Sequence, residues 1–282
     1  MGEVTLVVQG REVVALLPAA GQSRRLAPLP CSKELFPIGF GAIFGKKGPR
    51  PKVVSHYLLE HLSEAGIRKG YVVIRHGKWD IPDYWGDGSM LGMDLAYVVI
   101  ADSSGPPDTI DRTYPFVKDN IIAFGFPDIV LRQNDVFVKL LDRLDCSGSD
   151  VVLALFPAHD AKAMDMIDID AACRVRAISL KPKATRLRYA WLCAVWTPVF
   201  TKFVHQFLRQ VKQGGKAEVL GNRRIDAQGD IPVGVVLKEA VKAKLKVEGV
   251  TFPRGRYIDI GTPSALSMVP RFISYSRPLY PT

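Results

Sequence analysis

The chain has 282 residues, 48% apolar and 23% charged, with a formal net charge of +10. Those proportions describe a globular protein with a sizeable core, and there is no internal repeat or low-complexity segment. The basic residues are scattered without a long Lys/Arg run, which argues against nucleic-acid binding and suits anionic phosphorylated substrates.

No apolar run reaches the roughly 18 residues that span a bilayer, and the opening MGEVTLVVQGREV lacks the long apolar stretch of a signal peptide. Cys31, Cys146, Cys173 and Cys193 are widely spaced with no CxxC. They read as free thiols, and the chain as cytoplasmic, with no membrane partner.

In chain order, Val4–Val8 and Val13–Leu17 are apolar runs around Gln9-Gly10-Arg11, read either as a hairpin or as a strand with an appendage. Pro18 ends the second run, and the small or flexible residues Ala19-Ala20-Gly21-Gln22-Ser23 follow, then Arg24, Arg25 and Lys33. The Gly/Pro/Lys-rich stretch Gly39–Pro51 reads as a loop. A helix is expected from about Lys52 to Ala65, stopped by Gly66, with a strand over Tyr71–Arg75. Further strands are expected over Leu95–Ile100, Ile121–Gly125, Val151–Phe156, Val175–Leu180, Tyr189–Trp196 and Leu245–Phe252. Helices are expected over Asp108–Val117, capped by Asp108, and over Asp135–Leu144, Thr201–Val211 and Pro232–Ala243. Tyr257–Thr262 closes the last apolar segment, and a Pro-containing tail begins at Pro270. Helix alternating with strand is the rhythm of a wound, largely parallel sheet.

A strand feeding a small-residue loop brings backbone N–H groups to the sheet edge, and neighbouring cations suit a polyphosphate. Nucleotidyl transfer needs a held α-phosphate, compensation of the pyrophosphate charge and usually a divalent metal. The Gly21 loop suits the first need, the forked guanidinium of Arg24 or Arg25 the second, and Lys33 adds a point charge. Asp128 follows an apolar strand, and Asp259 stands alone between Ile258 and Ile260. Hard carboxylate oxygens at strand ends suit Mg²⁺. Each has a plainer reading: a turn or cap residue for Asp128, a structural partner for Asp259, a solvated neighbour for Arg24. Lys181, at a strand end before Pro182, is a candidate for the acceptor phosphate or ordinary surface.

The order of these pieces resembles the sugar-1-phosphate nucleotidylyltransferases. The motifs are Ala20-Gly21-Gln22-Ser23-Arg24-Arg25-Leu26 with Pro28, then Ser32-Lys33-Glu34-Leu35-Phe36-Pro37-Ile38, the Pro51–Gly66 helix, and Gly86-Asp87-Gly88-Ser89 with Gly92 and Tyr97. Lys181-Pro182 and Asp259-Ile260-Gly261-Thr262-Pro263 complete the set. The resemblance implies a Rossmann-like three-layer α/β/α sandwich with a mixed, mostly parallel central sheet. It implies one domain over 1–282, its N-terminal half nucleotide-binding, its C-terminal half acceptor-binding with a lid. By position, Arg25 and Lys33 would be catalytic. Ala20, Gly21, Gln22, Ser23, Arg24 and Gly105 would bind nucleotide, Lys181 the sugar phosphate, and Asp128 and Asp259 Mg²⁺. The partners would be a nucleoside triphosphate and a sugar phosphate, and such enzymes are frequently homo-oligomers.

The sequence departs from the family where base and sugar are chosen. Pro127 replaces the usual glycine before Asp128, and Leu180 stands at the usual glutamate before Lys-Pro. The base-reading glutamine falls near Ile100, Gly105-Pro106-Pro107 replaces the usual segment after it, and the spacing from Pro28 to Lys33 is shortened. These departures motivate an alternative: a non-catalytic protein, descended from such enzymes, that binds a nucleotide or nucleotide-sugar.

Overall fold

A computed structural model of the chain describes residues 5–41, 48–214 and 230–274. Its first half runs β1 (Val7–Val8), β2 (Arg11–Pro18), β3 (Pro37–Gly41), β4 (Arg50–Val53), α1 (Val54–Glu64), β5 (Lys69–Arg75), α2 (Asp80–Trp85), β6 (Asp94–Ile100), α3 (Pro106–Asp111), α4 (Tyr114–Val117), β7 (Ile121–Gly125), β8 (Ile129–Leu131) and α5 (Val136–Ser147). The second half runs β9 (Val151–Pro157), β10 (Asp165–Ile169), β11 (Val175–Leu180), β12 (Tyr189–Trp196), α6 (Pro198–Gly214), α7 (Val233–Lys242), β13 (Val247–Thr251), β14 (Tyr257–Asp259) and α8 (Pro263–Ser274).

Ten strands form one mixed sheet. β2 pairs in parallel with β5 and β7, and β5 with β6. β12 runs antiparallel to β7 and β9, and β13 is parallel to β9. β10 joins the first residues of β12, beyond the end of β7, and carries β11; β1 folds back on β2 as a hairpin. Followed through these pairings, β2, β5, β6, β7, β9, β10 and β13 share one direction, so the sheet is mostly parallel. The strands at its centre are continuous apolar runs because both faces are covered; every residue of β7 is buried.

One face packs α1, α2 and α5, and the other packs α3, α4, α6 and α7. That completes the three-layer sandwich. α5 shows how the sequence builds a layer: Val136, Phe137, Leu140, Leu141 and Leu144 recur at helical spacing and are all buried. A third, smaller core joins Val54, Val130, Ile258, Ile260, Val269 and Phe272 under the two-stranded ribbon β8–β14.

Some local expectations are corrected. The ends of the expected loop Gly39–Pro51 are strands β3 and β4, paired antiparallel, while residues 42–47 lie outside the described part. Glycine and proline in that stretch signal turns but conceal a short ribbon between them. The helix expected from Asp108 begins at Pro106, and Asp108 instead accepts from the Ser104 N–H and pairs with Lys212. It also breaks before α4, where Pro115 has no N–H to continue the ladder. Pro270 lies inside α8, whose apolar side holds it against the third core; the tail beyond 274 lies outside the described residues. β10 occupies a stretch that received no assignment from sequence.

Candidate functional site

β2, β5 and β7 are neighbours and parallel, so their carboxyl ends lie along one sheet edge, where open α/β sheets present their binding crevices. β2 delivers the loop Ala20–Ser23, β5 delivers a turn carrying Lys78, and β7 delivers Asp128.

The two carboxylates meet through the β8–β14 ribbon. Asp259 is the cross-strand partner of Ile129, and the Ile260 N–H donates to the Asp128 carbonyl at 3.1 Å. Asp259 Oδ1 also accepts from the Gly261 N–H at 2.8 Å. Lys33, on a short 3-10 turn over Lys33–Leu35, directs Nζ onto Asp128 Oδ2. The same ammonium lies 3.8 Å from where a Cβ on Gly21 would stand, so it faces both the carboxylate and the small-residue loop. The Arg25 guanidinium lies against Gly261, with Nη2 at 3.0 Å from that residue's would-be Cβ and Asp259 Oδ1 equally near it. Arg25, Lys33, Asp128 and Asp259 therefore lie together at this sheet edge.

The charges are mutually tuned. Burial alone would raise Asp128, but the Lys33 ammonium outweighs it, with Lys78 adding to the effect, and the carboxyl stays below its ordinary range. Asp259 moves the other way: desolvation and the neighbouring Asp128 charge push it up, opposed by the Gly261 N–H, Lys33 and Arg25. Desolvation would lower Lys33, yet Asp128 and Glu34 hold it charged far above its usual range. Two carboxylates that repel each other beside cations form a hard-oxygen donor set that fits Mg²⁺. Among the described residues no group of three or more His, Cys, Asp or Glu surrounds a metal position, so phosphate oxygens would complete its shell.

The other expected residues fall as follows. Arg24 donates to Gln22 Oε1 at 2.6 Å at an exposed position, whereas Arg25 lies against Gly261. Ser23 adopts a positive φ of 53° and its carbonyl accepts from the Leu26 N–H, turning the chain between loop and cations. Gly105, at φ 114°, is nearest to Ile231 and Asp230; any side chain would collide with the Ile231 backbone at 2.6 Å. Its need for glycine is thus explained by packing against the segment leading into α7. Lys181 is exposed at the end of β11 and faces Asp165, not Asp128 or Asp259. Burial raises Asp165, and its Oδ1 is a buried acceptor without a hydrogen bond.

Sequence reasoning missed Lys78, Glu34 and Asp80. Lys78 is 8% exposed, and its Nζ donates to the Ala19 carbonyl and to Glu34 Oε2, both at 2.7 Å. Glu34 is 2% exposed. Asp80 accepts from the Ser32 N–H at 2.6 Å and from Ser32 Oγ at 2.7 Å. The available signal was a carboxylate beside apolar Leu35 and Phe36, a position that asks for a buried partner.

No protein-family model matches the chain. It is 24% identical over 207 residues to nucleotidyltransferase Agl11 of low-salt glycan biosynthesis in Haloferax volcanii, covering 72% of this chain and 54% of that protein. It is 23% identical over 189 residues to glucose-1-phosphate adenylyltransferase of Trichlorobacter lovleyi, covering 62% and 44%. The chain thus spans about half the length of these curated relatives. Among solved structures it superposes on one from Bacillus anthracis described as a glucose-1-phosphate thymidylyltransferase in complex with sucrose. That match has a TM-score of 0.74 at 14% identity, covering 96% of this chain and 98% of the other. It also superposes on UDP-glucose pyrophosphorylase complexed with UDP-glucose, with a TM-score of 0.73 at 15% identity, covering 94% and 99%. In sequence and in fold the chain resembles the sugar-1-phosphate nucleotidylyltransferases. No described helix is long and apolar enough to cross a membrane.

Proposed function

We propose that this protein is a sugar-1-phosphate nucleotidylyltransferase, which transfers a nucleoside monophosphate from a nucleoside triphosphate to a sugar 1-phosphate in a Mg²⁺-dependent reaction and releases pyrophosphate. The observation that carries this reading is the convergence of Arg25, Lys33, Asp128 and Asp259 beside the Ala20–Ser23 loop. The names of the curated relatives support the substrate class.

The acceptor phosphate oxygen attacks the α-phosphorus, and the bond to the bridging oxygen of pyrophosphate breaks with its electron pair. The acceptor oxygen is already anionic at neutral pH, so no general base is required. Catalysis is positioning and charge compensation. The loop amides and Lys33 hold the triphosphate, Arg25 offsets charge on departing pyrophosphate, and Lys181 holds the acceptor phosphate. Asp128 and Asp259 would hold Mg²⁺, which neutralises phosphate charge when bound. The four unpaired cysteines are in keeping with a cytoplasmic setting.

The test is a pyrophosphate-release screen of the common nucleoside triphosphates against a panel of sugar 1-phosphates, with and without Mg²⁺. Release that needs one triphosphate, one acceptor and Mg²⁺ is expected. Nucleotide binding with no release from any pair would refute transfer and favour the non-catalytic reading.

A further inference from the structure

We infer that Lys78 and Asp80 are positioning residues that grip the Lys33 turn from both sides and pin the root of the Ala20–Ser23 loop, setting the protein's affinity for a triphosphate. The inference rests on the nucleotide-binding part of the proposed function and extends it to a segment that contributes no phosphate ligand of its own.

The geometry is specific. After β5 the chain turns at Gly77, and the Lys78 N–H donates to the Arg75 carbonyl, which fixes Lys78 directly under the end of β2. There its ammonium serves two segments at once. It donates to the carbonyl of Ala19, whose own N–H is donated to Val73 of β5 at 2.8 Å. Ala19 is therefore held on both sides, one residue before the loop begins. The same ammonium donates to Glu34, next to Lys33. Two residues further on, Asp80 takes both the N–H and the hydroxyl of Ser32, the residue on the other side of Lys33. Residues 32 and 34 are thus anchored by residues 80 and 78. Lys33 between them is left with a fixed origin from which Nζ reaches Asp128 and stands beside Gly21, 3.8 Å from where a Cβ on that residue would lie.

A buried ion pair is a poor stabilising device, because desolvation offsets most of its attraction. Apolar residues of similar size at 34 and 78 would serve packing equally well. Lys78 differs from a stability element in that one of its two bonds ends on a loop-root carbonyl, which an apolar residue cannot hold. Preorganising donors around a phosphate is where such fixing has value.

The test uses the whole protein and the paired substitution Glu34→Leu with Lys78→Met, which removes both charges together. Thermal unfolding is expected to fall only modestly, because apolar residues replace the charge pair at little cost while the Ala19 carbonyl loses its Lys78 donor. Calorimetric titration with UTP and TTP is expected to show affinity lost by about tenfold or more for whichever nucleotide the wild type binds, and the KM for that nucleotide should rise while the KM for the sugar phosphate moves little. Lys78→Arg, which keeps a donor, should recover part of the loss. Asp80→Asn, at the rim of the grip, provides an independent arm if the double variant does not fold, and should weaken nucleotide binding by about threefold or more. Wild-type nucleotide affinity in the folded double variant, or in Asp80→Asn where the double variant does not fold, would overturn the inference. Wild-type protein that binds UTP or TTP but releases no pyrophosphate would refute transfer alone, leaving the affinities to decide this point. Wild-type protein that binds no nucleoside triphosphate would overturn both.

Discussion

In the proposed reaction Arg25 and Lys33 would act through charge, not through the core. Arg25 is exposed and Lys33 is partly open to solvent, so replacing either costs little packing. Arg25→Ala and Lys33→Ala should each lower pyrophosphate release by about a hundredfold or more; the melting temperature should stay nearly unchanged in Arg25→Ala and fall in Lys33→Ala, which leaves the Asp128 carboxylate unpaired. Near-normal release from both variants would dismiss their assignment. These cations and the two aspartates were legible in the sequence because their residue types match the chemistry and each follows a strand or loop signal. Lys78 and Asp80 were not, because their partners are a backbone carbonyl at position 19 and a serine at position 32. No local spacing encodes such contacts; they arise only when β2 and β5 lie side by side.

Among elements, the parallel strands were readable because each is a continuous buried run, and α1 and α5 because apolar residues recur at helical spacing. The β3–β4 and β8–β14 ribbons were harder, since three or four paired positions leave little periodicity to detect. The Gly86-Asp87-Gly88-Ser89 turn shows a motif whose role is structural. Gly88 sits at φ 92°, and a Cβ there would stand 2.7 Å from the Met93 carbonyl oxygen and 2.6 Å from Leu95. Gly88→Ala should therefore destabilise the fold by about 1–3 kcal/mol through backbone strain and crowding. Urea unfolding should register that loss, and activity per folded molecule should be unaffected. A turnover defect at unchanged stability would instead place this turn in the site.

For the molecule as a whole, the alternation of helix and strand pointed to a wound sheet and the family resemblance to three layers, and two buried histidines of α1 set an acid limit on their stability. His56 is 1% exposed, with Nδ1 accepting from the Val53 N–H at 3.1 Å, and His61 is 6% exposed. Burial, aided by the Lys52 charge, lowers each to about 4. Above the ordinary histidine range both are neutral in folded and unfolded chains, so neither affects stability there. Between about 6.5 and about 4 the unfolded chain takes up their protons and the folded one does not, so stability falls as pH falls through that window. The upper bound is about 3 kcal/mol for each histidine. Unfolding midpoints at pH 7, 5.5 and 4.5 should decline in that order, and less steeply in His61→Leu; a flat profile across the window would contradict this account.

The ribbon that seats Asp259 opposite Ile129 joins chain segments made far apart in time during synthesis. A nascent polypeptide that has already exposed its glycine loop and both cations still lacks the second acid. Only when strand β14 has left the ribosome and zipped onto β8 would the proposed divalent ion have two anionic anchors. Premature termination anywhere before that strand would leave a sheet able to fold in part, yet chemically mute.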